Sequence, residues 1–400
     1  MTVRRWKIIL ATVAATAVTA GLSAAASSAR PTGAHATKTI KVGVVYSRTG
    51  LLSAYGAEYI QGLRLGLRYA TKGTNTVNGN KIELTVVDDA TDPAKAVSAV
   101  KDLIGQGYKI IVGSTSSGVA LQVAPLAAQN KILYISGPAA GDAITGLNRY
   151  TFRAGRQVTQ DVLAANSFLT SVGRKIVVFA QDTAFGNGNV ASVTQILGGK
   201  GHTVSKVLVP PSATDFSPFA QQAKQANPDL LFVAWAGTTT TAMWRALDQQ
   251  GTLDSTTVST GLVERATWSA FGDPAPKLKL LAHYVSTAPK NAVNDWLIKT
   301  MRRSGQVPDL FTPDGFVTAQ MLARAIGKAN GDDVEKTIAA LEGYQFLAPK
   351  GKQRIRPQDH AMIQPMFQVR LNKSGSRFTA TVLKTISPGN VQPPVKPFSS

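Results

Sequence analysis

Short apolar runs without alternation recur along the chain, and each is followed by a polar turn and then by apolar residues at helical spacing. The clearest unit is Lys109 to Ser136. Ile110, Ile111 and Val112 predict a strand buried on both faces of a parallel sheet, and Gly113 ends it. Val119, Val123, Leu126 and Ala127 then mark the inward side of a helix, and Ile132 to Ile135 form the next strand. Pro125 falls inside that helix, where its missing N–H predicts a bend.

The same alternation runs upstream and downstream. Thr39 to Ser47 predicts a first strand, with Tyr59, Leu63, Leu67 and Ala70 on one face of the following helix. Asn78-Gly79 signals a tight turn before Lys81 to Asp88, whose Ile82, Leu84 and Val86 alternate with polar residues. Asp92-Pro93 supplies a cap and a first helical residue, with Val97, Val100 and Ile104 inward. Further strands are predicted at Lys175–Ala180, Thr203–Val209, Asp229–Trp235 and Thr256–Ser259. Helices are predicted after Asp182–Gly186 and at Phe219–Ala226, Asn291–Arg303 and Val317–Ala329. Strands alternating with helices in right-handed crossovers predict an α/β fold of two doubly wound parallel-sheet lobes.

Two strand-to-helix turns are rich in hydroxyls. Ser114, Thr115, Ser116 and Ser117 follow one strand, and Thr238 to Thr241 follow another after Ala236 and Gly237. Free N–H groups at a helix start carry partial positive charge, so each turn either caps its helix or holds a carboxylate. If the carboxyl ends of the two sheets face each other, a small polar ligand fits between them.

Composition narrows the function. The chain of 400 residues has no cysteine, which removes disulfides, thiol catalysis, zinc-thiolate sites and a lipid-bearing cysteine. Arg4, Arg5 and Lys7 precede an uncharged stretch from Ile8 to Ala26, and Ala34-His35-Ala36 is a small-x-small cleavage candidate. Residues 1–36 are therefore expected to be a signal peptide, with an uncleaved anchor as the alternative, and the mature chain to start near Thr37 in an extracytoplasmic compartment. Without Arg4, Arg5, Lys7 and Arg30 the 43 basic residues fall to 39 and the net charge from +20 to +16. These charges are dispersed, apart from Lys350 to Arg356, and lack interleaved aromatics, so no nucleic-acid partner is expected.

Catalytic patterns are thin. Gly186 to Ala191 matches G-x-G-x-x-A, but it comes too far beyond its strand for a dinucleotide turn. Gly113 to Gly118 lacks G-x-S-x-G spacing. His35, His202, His283 and His360 have no metal-ligand spacing. No enzyme activity, cofactor or metal is expected.

The ordered series of strand, Thr49-Gly50 turn, Asn78-Gly79 hairpin, Asp92-Pro93 helix and the Gly113 to Ser117 turn resembles the leucine/isoleucine/valine-binding type of type I periplasmic binding proteins. The resemblance continues through Phe152-Arg153, Asp182 to Gly186, Ala213 to Phe216 and Gly351 to His360. It implies three crossings between lobes, placed near Arg156, Tyr284 and Gly343. The first lobe then takes 37–156 and 285–342, and the second takes 157–284 and 343–400. It implies a monomeric solute receptor that delivers a small ligand to the permease of an ABC importer. A ligand-presenting sensor, and behind it an exported enzyme, are the alternatives.

The resemblance also implies ligand positions. Ser117 matches the serine that holds the ligand carboxylate, and Pro138 matches a backbone contact. Ala140 stands where a threonine hydroxyl is usual. Phe185 matches an aromatic lining the cleft, and Trp235 is placed to cover the ligand where Gly237 replaces an aromatic. Thr260 stands where amino-acid binders carry a glutamate for the ligand ammonium. Asp182 and Asp314 are the candidate replacement acids, and Ser114, Thr238 and Thr239 are candidate polar contacts. His360 beside Asp359 looks like the family's structural Asp-His pair. With Thr260 at the glutamate position, the ligand is expected to be an amino acid served by another acid, or a related carboxylate or amide without an ammonium.

Overall fold

The computed structural model describes residues 38–398 apart from residues 170 and 262. The expected signal peptide and its cleavage site lie outside the described residues.

The apolar runs assemble into two large sheets. The first holds β1 (Thr39–Tyr46), β2 (Thr76–Val77), β3 (Asn80–Asp88), β4 (Ile110–Gly113), β5 (Leu133–Ser136) and β6 (Thr151–Arg153), in the order β2-β3-β1-β4-β5-β6. All neighbours are parallel except β2 and β3, whose hairpin turns on Asn78 and Gly79 with φ of 48° and 77°. Both residues are left-handed, as the turn that matches strand twist demands.

Residues of β1, β4 and β5 alternate between two cores because successive side chains point to opposite faces. Val42, Val44, Ile110, Val112 and Leu133 pack with α1 (Ser53–Ala70), whereas Val45, Ile111 and Tyr134 pack with α2 (Pro93–Gly105) and α3 (Ser117–Asn130). Asp92 caps α2, accepting from the N–H of Ala94 at 2.7 Å. Pro125 lies on the exposed side of α3, which continues past it to Asn130.

The second sheet contains β7 (Lys175–Gln181), β8 (Thr203–Val209), β9 (Leu230–Ala234), β10 (Thr257–Gly261) and β11 (Lys279–Ala282), all parallel. The helices over these strands are α4 (Val158–Ala165), α5 (Ala184–Ile196), α6 (Ser217–Gln225), α7 (Thr240–Gln249) and α8 (Thr252–Ser255). The chain then returns to the first lobe through α9 (Ala292–Arg302), α10 (Thr312–Ala329) and α11 (Val334–Leu341). Helix α10 lies against α1 so closely that a Cβ on Gly62 would sit 1.8 Å from the carbonyl of Thr312, and one on Gly315 2.0 Å from that of Tyr59.

The crossing placed near Gly343 is a correction. A small sheet of β12 (Gln345–Ala348), β13 (Gly351–Ile355) and β14 (Met362–Ile363) follows α11, and its Ala348, Ile355 and Met362 join the first lobe's core. Only at Gln364-Pro365 does the chain cross, before β15 (Met366–Ser374) and β16 (Arg377–Ile386) extend the second sheet beside β11. The crossing placed near Tyr284 follows directly on β11. Leu280 to Ala282 form the end of β11 in the second sheet, and the crossing starts at His283.

Candidate functional site

The carboxyl ends of the two parallel sheets face each other across a cavity of about 440 Å³. Its first-lobe wall comes from the turns after β1, β3, β4 and β5, and its second-lobe wall from the turns after β7, β9 and β10. Leu51, Leu52, Phe185, Phe232, Trp235, Val263 and Phe311 make much of the surface apolar. Ser117, Pro138, Ala140, Phe185, Trp235 and Thr260, all expected from the sequence, line it together.

Ser117 is the first residue of α3, with Ser116 as its cap. The Ser117 Oγ accepts from the N–H of Gly141 at 3.0 Å. That bond uses a lone pair and leaves the hydroxyl proton free to donate, beside the positive end of a 14-residue helix. An oxygen-rich group is the natural partner for such a point. Ala140 offers no hydroxyl, and its carbonyl already accepts from the N–H of Val158 at 2.9 Å.

On the opposite wall Trp235 is held on three sides. Its ring stacks on Phe179 with centroids 5.6 Å apart and meets Phe216 edge-on at 5.4 Å, while its Nε1 donates to the Thr239 Oγ1 at 3.0 Å. The Thr260 hydroxyl donates to the carbonyl of Val233 at 2.9 Å, so toward the cavity it presents an acceptor.

Five expected residues stand elsewhere, among them Thr239, which serves as the acceptor for Trp235. Ser114 is buried behind the turn, where its hydroxyl accepts from the Tyr134 hydroxyl at 2.8 Å and its φ is 73°. Asp182 is exposed and accepts from the Asn187 side chain at 2.8 Å. Thr238 is exposed at the cleft mouth, and its N–H donates to the Leu51 carbonyl of the other lobe at 3.1 Å. Asp314 is fully buried near the crossings, 2.6 Å from the Lys350 Nζ and 3.5 Å from the His283 Nε2. Burial pulls the Asp314 carboxyl up, but Lys350 and His283 outweigh it and hold it down at about 2. Asp314 is therefore spent on an internal ion pair.

Sequence reasoning missed the cavity's charged groups. Arg156 and Asp161 both line it, with the Arg156 Nε 3.0 and 2.8 Å from the two Asp161 oxygens. Burial still pushes the Asp161 carboxyl up, against the pull of the Arg156 cation. Tyr55 also lines the cavity, its hydroxyl accepting from the N–H of Gly237 at 3.3 Å and lying against the Glu264 carboxylate, whose pKa is raised chiefly by burial. Nothing in the spacing signals these residues, since each reaches the cavity only once the lobes are docked. Among the described residues no cluster of three or more His, Asp or Glu is arranged to hold a metal ion.

A family model described as periplasmic binding protein matches residues 39–376. The Leu/Ile/Val-binding protein homolog 3 of Brucella melitensis biotype 1 is 24% identical over 304 residues, covering 75% of this chain and 82% of that one. Among solved structures, an ABC-type branched-chain amino acid transporter from Rhodopseudomonas palustris CGA009 is 32% identical with a TM-score of 0.75, covering 90% of this chain and all of its own. A solute-binding protein of an ABC transporter from Rhodopseudomonas palustris BisB5, in complex with 3,4-dihydroxybenzoic acid, is 24% identical with a TM-score of 0.78, covering 88% and 98%. With its two facing parallel sheets and a cavity between their carboxyl ends, this chain belongs to the periplasmic binding protein family, of the Leu/Ile/Val-binding type.

Proposed function

We propose that this protein is the extracytoplasmic receptor of an ABC importer and captures a small carboxylate with an apolar or aromatic body. The observation that carries this reading is Ser117, whose hydroxyl keeps a free proton at the start of α3 inside a cavity walled by Leu51, Leu52, Phe185 and Trp235. The relatives support it, because a branched-chain amino acid and 3,4-dihydroxybenzoic acid, which two of them carry in their descriptions, share a carboxylate on an apolar body. The bound ligand touches both lobes and thereby favours the closed arrangement, which the membrane permease reads.

Titration calorimetry of the chain from about Thr37, against amino acids, their oxo-acid analogues and benzoates, tests the reading. One of these carboxylates binds, and Ser117→Ala weakens it by roughly tenfold or more, as expected for a hydrogen bond to a charged group. Unchanged affinity in Ser117→Ala, or binding confined to sugars, refutes it.

A further inference from the structure

Arg156 gives the cavity a second fixed point. Its backbone is held in place, since its carbonyl accepts from the Arg153 Nη2 at 2.7 Å. Its guanidinium is anchored through Nε alone, shared between both oxygens of Asp161. Among the described residues, Nη1 and Nη2 donate to no protein acceptor, although the side chain is only 11% exposed and lines the cavity. Asp161 accepts the one Nε–H at both oxygens, a bifurcated bond that leaves it further accepting capacity at the cavity wall. The idle donors of the pair are the Nη groups of Arg156. A mostly buried guanidinium with idle N–H groups gains from any oxygen that reaches it, and its planar fork suits a carboxylate, a carbonyl or a phenolic oxygen. An ammonium at the same point meets a cation instead.

We propose that Arg156 is a second ligand anchor, so that the ligand carries, besides the carboxylate at Ser117, a second oxygen acceptor facing the guanidinium, where an ammonium does not fit. The inference rests on the carboxylate reading of the Ser117 end. It makes Arg156 the residue that separates oxo-acids and hydroxylated aromatic acids from amino acids and from plain acids of the same size.

The test uses matched pairs of probes in titration calorimetry: 3-methyl-2-oxobutanoate against valine, and 4-hydroxybenzoate against benzoate. In the wild type the member with the second oxygen acceptor binds roughly tenfold tighter or better in at least one pair. In Arg156→Met that ratio falls to about one, while Arg156→Lys retains part of it. Because removing one partner strands Asp161, the ratio is also measured in Arg156→Met/Asp161→Asn, which leaves no unpaired charge. A preference for the second oxygen acceptor in neither pair, or an unchanged ratio in the double variant, overturns this inference and leaves the carboxylate reading standing. Silence of every carboxylate with the wild type overturns both.

Discussion

Gly237→Ala tests whether the lobes are held shut at the cleft mouth by the chain itself. Gly237 has a φ of 88°, and a Cβ placed there would sit 2.4 Å from the carbonyl oxygen of Leu51 and 2.7 Å from its Cγ. The left-handed backbone costs alanine about 1–2 kcal/mol in the open and closed forms alike, so that part lowers overall stability without touching affinity. The clash with Leu51 exists only when the lobes meet. Relieving it parts the mouth and breaks two bonds between the lobes, from the Thr238 N–H to the Leu51 carbonyl at 3.1 Å and from the Gly237 N–H to the Tyr55 hydroxyl at 3.3 Å. At a net value of about 0.5–1.5 kcal/mol each, closure loses roughly 1–3 kcal/mol. Affinity scales with the population of the competent form, so ligand binding weakens by about 5- to 150-fold. Calorimetric titration measures the loss, and small-angle scattering of the ligand-saturated variant reads the wider opening. A folded Gly237→Ala protein that binds within twofold of the wild type refutes the latch.

Three further outcomes are expected. Burial holds the His283 imidazole down at about 4, with Arg156 adding to the effect and Asp314 opposing it, so the folded chain refuses a proton that the unfolded chain takes below pH 6.5. Its contribution to stability is complete above pH 6.5 and is lost as the pH falls to about 4. It amounts to about 3 kcal/mol at most, and urea melts at pH 7 and pH 4.5 should show a smaller loss for His283→Gln. Lys350→Met strands the buried Asp314 and costs about 3–5 kcal/mol, much of it recovered in Lys350→Met/Asp314→Asn; equal urea midpoints for the two variants refute the ion-pair account. Asp92→Ala removes the acceptor of the Ala94 N–H at 2.7 Å and costs about 1 kcal/mol, read as a shift in the urea midpoint and faster amide exchange at the start of α2.

The first sheet was largely legible because its signals are local. Ile110 to Val112 and Leu133 to Ile135 are apolar on both faces, Asp92-Pro93 starts a helix by its own side-chain bond, and Asn78-Gly79 closes a hairpin by its own dihedral angles. For Ser117 the local signal reached only as far as the hydroxyl-rich turn Ser114 to Ser117, and the resemblance singled out the one residue. Candidate acids were not legible. Asp182 turns to its own neighbour Asn187, and Asp314 meets Lys350, 36 positions away, because a buried carboxylate takes the cation that the fold brings to it.

The sequence by itself determined two series of parallel strands with hydroxyl-bearing turns at their carboxyl ends, since strand, helix and turn preferences act over a few residues. Tertiary structure alone decided the rest. Strands β12 to β14 were not read from the sequence, whose Gly351 to His360 carries no mark of the sheet it serves, and the packing of Ala348, Ile355 and Met362 assigns them to the first lobe. Arg156 read as a crossing, and Tyr55 carried no signal of its own in the sequence. Both face the cavity because the chain passes repeatedly between lobes and brings distant turns together. The periodicity of a chain reports which side of an element is buried, whereas what lies against that side is set by the docking of whole lobes.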